Sequence, residues 1–294
     1  MRLGWGWSGR TVIAVAGATS VVLAAGMTGA SAATGPGARP VPQVSRMLRA
    51  PAAPAARGVA GVPGIAKVGS FNWSGYVQST KTQGTFTAAE DFWTVPKVTT
   101  KAGSQYSADW VGIGGNNKGD GSLVQDGTEA DNVNGTARYR AWTEILPAGE
   151  VVISGLTIHP GDKMEGLVEE IKAGTWEMTV KDLTTGSSGG RTVSYNSSGL
   201  SVEAIHERPL VGGSLAALAT TTNVTFDPGL FSTGAPGSPS FKPLLKAATG
   251  ATLNEIFMVN NAGTKIIASP SAADSDGDGF AVADGSTSPP PPAS

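Results

Sequence analysis

Two side chains, Gln125 and Glu203, have the functional groups that are needed to orient and deprotonate a bound water molecule. A carboxylate accepts a proton from water, and a primary amide donates two hydrogen bonds without carrying charge. The residues from Ser201 to Glu207 read as a strand, whose period of two places Glu203, Ile205 and Glu207 on one face. Glu203 and Glu207 would then share one wall, where their mutual repulsion would raise one carboxyl pKa.

Neither side chain is diagnostic by itself. Glu203 and Glu207 are also compatible with solvated strand glutamates, and Gln125 with a surface amide beside a turn at Asp126-Gly127. A functional interpretation therefore depends on the motifs around them.

Short motifs follow one another along the chain in the order Asn72-Trp73-Ser74-Gly75-Tyr76, Asp109-Trp110-Val111-Gly112-Ile113-Gly114, Leu123-Val124-Gln125-Asp126-Gly127-Thr128-Glu129, Ala141-Trp142-Thr143-Glu144-Ile145-Leu146-Pro147 and Ser201-Val202-Glu203-Ala204-Ile205-His206-Glu207. In order and spacing these motifs resemble the glutamic peptidases, or eqolisins. The resemblance covers residues 71–285 and implies proteolysis at acid pH.

The resemblance also implies roles for individual residues. Gln125 and Glu203 would hold one water, with Glu203 as general base and then acid, and Gln125 as the donor that stabilises the oxyanion. Trp142 and Glu144, two residues apart, would line the substrate cleft together with Trp73. Glu129 would hydrogen-bond and orient the catalytic groups. Trp73 and Trp142 are equally compatible with the hydrophobic core.

The ends of the chain differ in composition from the middle. Residues 1–32 have the basic start, apolar stretch and Ala30-Ser31-Ala32 cleavage site of a secretory signal peptide. Segment 33–70 is rich in Ala, Pro, Gly and Arg and predicts a propeptide or a linker. The interpretation of 71–285 is a single β-sandwich domain, and 286–294 reads as a disordered, proline-rich tail. We therefore expect a secreted, extracellular protein.

Charge is distributed unevenly. Residues 1–70 contain seven of the 21 basic residues and no acid, so the rest carries 14 basic and 23 acidic groups, a net charge of −9. An acidic domain lacks the basic surface that nucleic acids or anionic membranes require. The expected partners are polypeptide substrates, with no nucleic acid, no membrane and a monomeric state.

The sequence predicts no cofactor and no metal. There is no cysteine, and the two histidines, His159 and His206, lack zinc-site spacing. Asp274-Ser275-Asp276-Gly277-Asp278-Gly279 matches the opening of an EF-hand loop, but position twelve is Gly285 instead of glutamate. We interpret this segment as a turn before the last strand.

The pattern between residues 71 and 285 is β throughout, except for one possible helix at Ser214 to Ala219. Short runs rich in Val, Ile, Thr and aromatics alternate with Gly, Asn, Asp, Ser and Pro, as in an antiparallel β-sandwich. The family resemblance narrows this to a lectin-like (concanavalin A-like) jelly roll with a concave substrate cleft.

Two other functions remain open, because a fold does not dictate a function. A carbohydrate-binding lectin-like module could use Trp110, Asn116, Asn117 and Trp142 on a concave face. A glycosidase could use Glu144 and Glu203 as its carboxylate pair.

Overall fold

The structure, a computed structural model, describes residues 66–294. The predicted signal peptide and most of segment 33–70 lie outside the described residues. The regular elements are strands: β1 Ala66–Ser70, β2 Trp73–Ser79, β3 Ala88–Thr94, β4 Ala108–Gly114, β5 Leu123–Val133, β6 Thr136–Ile145, β7 Val151–Val152, β8 Lys163–Lys172, β9 Thr175–Asp182, β10 Ser188–Ser194, β11 Ser201–Glu207, β12 Leu210–Val211, β13 Ser214–Leu215, β14 Val224–Ser232, β15 Lys242–Pro243, β16 Thr252–Val259, β17 Ile266–Pro270 and β18 Phe280–Asp284.

Most strands belong to one continuous sheet in the order β10, β9, β8, β3, β14, β18, β17, β16, β2, β11, β4, β5, β6, β7. Neighbours along this order are antiparallel, whereas β1 joins β16 in parallel at one side. Strand β8 also packs against β4 and β5, and β3 packs against β4, although these strands lie far apart in the order. The sheet therefore folds over into two layers, which confirms the predicted antiparallel β-sandwich.

The main hydrophobic core fills the space between the two layers. Strand β4 turns Val111 and Ile113 towards it, together with Val202 and Ala204 from β11. Aromatic rings from the other layer complete it, including Phe226 and Phe280, which stack with centroids 4.9 Å apart. Because strand side chains alternate between faces, the residues between these apolar positions must point out of the core.

A second cluster covers the opposite face of β2, β11, β4, β5 and β6. We call this the tryptophan face, after the buried side chains of Trp73, Trp110 and Trp142. Trp73 and Trp110 meet edge to face, with centroids 5.0 Å apart. One face of this layer thus packs in the core, and the other carries aromatic side chains.

Two local interpretations that the sequence allowed are wrong. Asp126-Gly127 is not a turn but the middle of the long strand β5. A glycine is required there because an added Cβ would lie 2.3 Å from the main-chain oxygen of Asp109 on β4. The helix predicted at Ser214 to Ala219 is replaced by the short strand β13, which pairs with β12.

The domain begins before residue 71, because β1 pairs with β16 over its whole length and Lys67 Nζ lies 3.3 Å from Glu255 Oε2. Residues 286–294 contain no strand, and the hydroxyl of Ser294 lies 2.7 Å from that of Ser275. No helix among residues 66–294 has the length and apolar character of a membrane span.

His206 is buried in the core on the face of β11 opposite Glu203. Its Nδ1 lies 2.7 Å from Asp109 Oδ1 on β4. Burial lowers the pKa of His206, but the charge and hydrogen bond of Asp109, with a contribution from Asp284, raise it more, so the net pKa lies above 6.5. The pair thus joins β11 to β4 best when the imidazole is protonated.

We predict that His206 makes the fold more stable in acid than in alkali. A histidine whose folded-state pKa is raised contributes stability fully below its unfolded pKa of ~6.5, and loses it as pH rises through the folded pKa. The melting temperature of His206→Asn should therefore fall less than that of the wild type across this range. His159→Asn, which alters a histidine with 67% side-chain exposure, is the matched control and should follow the wild type. Parallel curves for all three proteins would contradict the prediction.

Candidate active site

Four neighbouring strands place three polar side chains in one row. Glu203 on β11 lies opposite Gly112 on β4, Gly112 opposite Gln125 on β5, and Gln125 opposite Glu144 on β6. Directly paired residues share a face of a sheet, so all three side chains project onto the tryptophan face. Each of them is completely buried. The structure therefore brings together Glu203, Gln125 and Glu144, which the sequence analysis singled out.

Gly112 separates Glu203 from Gln125 in this row. Strands are ~4.8 Å apart, so the Cα atoms of two residues separated by one intervening strand are ~10 Å apart. A Cβ on Gly112 would lie 3.0 Å from Gln125 Cβ and 3.0 Å from the ring of Trp110. The glycine thus lets the Trp110 ring and Gln125 pack closely at the position between the carboxylate and the amide.

Glu144 fixes the orientation of the Gln125 amide. Gln125 Nε2 donates a hydrogen bond of 2.7 Å to Glu144 Oε2. This contact uses one of the two N–H groups, and Gln125 Oε1 has no hydrogen-bond partner among the described residues. The second N–H and the carbonyl oxygen of the amide are thus left for a bound molecule.

The next row along the same strands is apolar. It contains Ile205, Trp110, Gly127 and Trp142 on β11, β4, β5 and β6. The indole Nε1 of Trp142 is buried and has no hydrogen-bond partner within residues 66–294. A ligand at Gln125 would therefore meet an apolar wall with a hydrogen-bond donor in it.

Glu207 occupies the row beyond, opposite Trp73. It accepts hydrogen bonds of 2.8 Å from Asn72 Nδ2 and from Trp110 Nε1. Burial raises its pKa well above 4.5, the two hydrogen bonds oppose this rise, and the charge of Glu144 adds to it. Burial, and not the predicted repulsion between Glu203 and Glu207, is thus the main cause of the shift. Glu207 holds the floor of the site in place.

Glu129 lies two rows away from Gln125. It accepts a hydrogen bond of 2.8 Å from Nε of Arg140, and Arg140 also lies 3.7 Å from Glu150. Burial, then the charge of Glu129, raises the pKa of Glu150 to about 10. These contacts place Glu129 in an ionic cluster at the end of the tryptophan face, away from the Gln125 amide that it was expected to orient.

The sequence analysis did not identify the residue that spaces the row, Gly112, nor the contact of Trp110 and Asn72 with Glu207. The available signal was the alternation in Trp110-Val111-Gly112-Ile113, where a small residue takes an outward position beside apolar core residues. Within the described residues, the side chains that could hold a metal are Asp227, Asp274 and Asp278, outside this row.

Several solved structures resemble the chain. Scytalido-glutamic peptidase with a transition state analog inhibitor aligns with a TM-score of 0.58 at 20% identity, over 72% of this chain and 98% of the other. SCP-B, an eqolisin in complex with the tripeptide Ala-Ile-His, gives a TM-score of 0.53 at 20% identity, over 72% and 98%. Aspergilloglutamic peptidase from Aspergillus niger gives 0.51 at 27% identity, over 61% and 99%.

No curated protein sequence matches the chain. The profile of the Peptidase A4 family matches residues 71–275, which contain every strand of the row from Glu203 to Glu144. The fold of the solved relatives agrees with that match. The chain therefore belongs to the Peptidase A4 family, the glutamic peptidases.

Proposed function

We propose that the protein is a secreted endopeptidase that hydrolyses peptide bonds at acid pH with a water activated between Glu203 and Gln125. The observation that supports it best is the order of the row, in which Glu203, Gly112, Gln125 and Glu144 lie directly opposite one another on four neighbouring strands. The resemblance of the motifs and the family membership agree with this assignment.

The two side chains would divide the chemistry between them. As a carboxylate, Glu203 takes a proton from the water that attacks the scissile carbonyl; as the resulting acid, it gives a proton to the departing amine. The Gln125 amide orients the water and then donates to the oxyanion, a role in which one donor contributes about 2.7–4 kcal/mol. The scheme uses no pair of aspartates of the aspartic-protease type, and the family resemblance implies insensitivity to pepstatin.

The neighbours of the pair would position the substrate. Glu144 holds the amide of Gln125 at 2.7 Å, so that its remaining N–H points along one direction. Trp142 and Trp73 offer apolar surface to the substrate side chains. The ionic cluster of Glu129 and Arg140 would support the far end of the same face.

The geometry favours this function over a glycosidase. Glu144 and Glu203 are separated by two intervening strands, and Glu144 is hydrogen-bonded to the Gln125 side chain that lies between them. The carboxyl pair of a glycosidase instead flanks the scissile bond at ~5–9.5 Å. For a lectin-like site, Asn117 is unsuited because its Nδ2 donates to the main-chain oxygen of Thr80 at 2.8 Å.

A direct assay separates the three functions. The purified protein is incubated at acid pH with denatured casein in the presence of pepstatin, and in parallel with polysaccharides. Release of peptides without release of reducing sugar supports the peptidase. Sugar release, or glycan binding without peptide release, would contradict it.

We predict that Glu203→Gln and Gln125→Ala each lower turnover by at least ~100-fold, because they remove the proton carrier and the oxyanion donor. Peptide release measured together with the melting temperature tests this. Glu144→Ala is the graded comparison, and its effect should be smaller and appear more in KM than in kcat. If Glu203→Gln or Gln125→Ala retains most of its activity with an unchanged melting temperature, that residue is not part of the catalytic pair.

We predict that Gly112→Ala lowers kcat by at least ~10-fold, because the added methyl group would push the Gln125 side chain out of position. Its Cβ would lie 3.0 Å from Gln125 Cβ and 3.0 Å from the ring of Trp110. Gly121→Ala is the matched control, since a Cβ at Gly121 meets no atom within 4 Å. Equal kcat in Gly112→Ala and Gly121→Ala would show that the close packing at Gly112 does not position Gln125 for catalysis.

We also propose that the part of segment 33–70 that precedes β1 is an inhibitory propeptide held partly by charge. The segment is basic and precedes a domain of net charge −9.

We predict that protein made without the signal peptide is inactive at neutral pH and shortens at its N-terminus after acidification, as domain carboxylates become protonated. Because β1 is part of the sheet, we expect the cut before Ala66 and not at the predicted boundary of residue 70. N-terminal sequencing measures this, with Glu203→Gln as the control that should stay intact if cleavage is autocatalytic. A fully active enzyme with an intact N-terminus would eliminate the propeptide.

A further inference from the structure

The loop between β17 and β18 contains a pattern that peptide hydrolysis does not use. Asp274, Asp276 and Asp278 alternate along it, and Gly279 follows. This is the spacing with which calcium loops present carboxylates to one ion. The loop leads from one strand into another, so an EF-hand with flanking helices is excluded.

The folded chain adds a ligand that the sequence pattern lacks. Asp227 on β14, more than forty residues earlier, comes together with the loop. One carboxylate oxygen each from Asp227, Asp274 and Asp278 lie within 4.8 Å of one another. Calcium binds oxygen at ~2.3–2.6 Å, so oxygens that share one ion are at most ~5 Å apart. Among residues 66–294, no lysine or arginine forms an ion pair with these carboxylates.

Asp274 directs one oxygen into the space between the carboxylates. Its Oδ1 accepts hydrogen bonds from the main-chain N–H of Gly277 at 2.9 Å and of Asp278 at 3.2 Å. Its Oδ2 is buried and has no hydrogen-bond partner in the described part of the chain. A Cβ added to Gly279 would lie 2.4 Å from this oxygen and 2.9 Å from Asp227 Cγ. The glycine thus makes room where the two carboxylates meet.

A fourth carboxylate approaches from beneath the loop. Asp91 on β3 is completely buried, and its Oδ2 has no hydrogen-bond partner within residues 66–294. The Asp91 carboxylate lies next to Gly229. A Cβ added to Gly229 would lie 2.7 Å from Asp91 Oδ2 and 3.2 Å from the main-chain oxygen of Asp278. A buried carboxylate oxygen without a donor is costly unless a cation compensates it. Asp91 is therefore an independent indication that positive charge belongs here.

We propose that Asp227, Asp274 and Asp278 bind a calcium ion, with Asp91 as a buried counter-charge beneath it and Asp276 at the exposed side. An all-oxygen set selects a hard cation over zinc or copper, and a flexible loop with several carboxylates suits calcium better than magnesium. The ion would tie the loop to β14, outside the row of Glu203 and Gln125. Its role is to stabilise the fold, and it takes no part in hydrolysis.

The test uses the full chain at neutral pH, where carboxylates are ionised, after removal of metals with EDTA. Titration calorimetry with calcium chloride should show one ion bound per chain. The melting temperature should rise in ~10 mM calcium, above the ~0.1–1 mM dissociation constants of extracellular calcium modules. Absence of both heat and a shift would overturn the proposal, and tighter binding of magnesium than of calcium would overturn the choice of ion.

Variants locate the site. Asp227→Asn should weaken calcium affinity by at least ~10-fold, because affinity depends on the number of charged ligands. Asp278→Asn should do the same and serves if Asp227→Asn fails to fold. Glu177→Gln removes an exposed carboxylate on β9 and should bind calcium like the wild type. An equal response of the wild type, Asp227→Asn and Asp278→Asn would indicate non-specific binding to the acidic surface and overturn the proposal.

Discussion

Burial of carboxyl groups with few cations to pair with them is the constraint on which this structure depends. Burial raises the pKa of Asp126, Asp131 and Glu207 well above the usual range, partly opposed by hydrogen bonds from main-chain or side-chain donors. An acid whose pKa is raised by folding is neutral in the folded state at low pH, and folding costs more as pH rises through the shifted range. The protonated His206 works in the same direction. Both effects predict that the folded domain is more stable at acid pH than at higher pH.

The same constraint shapes the site. Among so many buried carboxyl groups, a primary amide supplies hydrogen-bond donors without adding a further charge. Gln125 meets this requirement, and Glu144 fixes it through a single short hydrogen bond. The aromatic side chains around the row lower the local dielectric constant, which strengthens the electrostatic interactions made inside.

The sequence was sufficient for the fold class, and it singled out residues that the fold places in one row, but it did not give their arrangement. The period of two around Glu203 predicted correctly which side chains share a face, because alternation is a local property. Strand β5 was not recognised, because Asp126-Gly127 has the composition of a turn and only the close approach of β4 explains the glycine. The partners of Glu129 and the position of Asp227 depend on contacts between distant segments, and no local pattern encodes them.

Gly127 has a consequence for how accurately the chain assembles. Strand β5 carries Val124, Gln125 and Asp126 in succession, so a slip of one residue would exchange the amide for an apolar or an acidic side chain. The same slip would bring Asp126 or Thr128 to the place where a Cβ would lie 2.3 Å from a main-chain oxygen of β4. A steric clash thus excludes misaligned pairing. The glycine allows the two strands to pair only in the register that assembles the site.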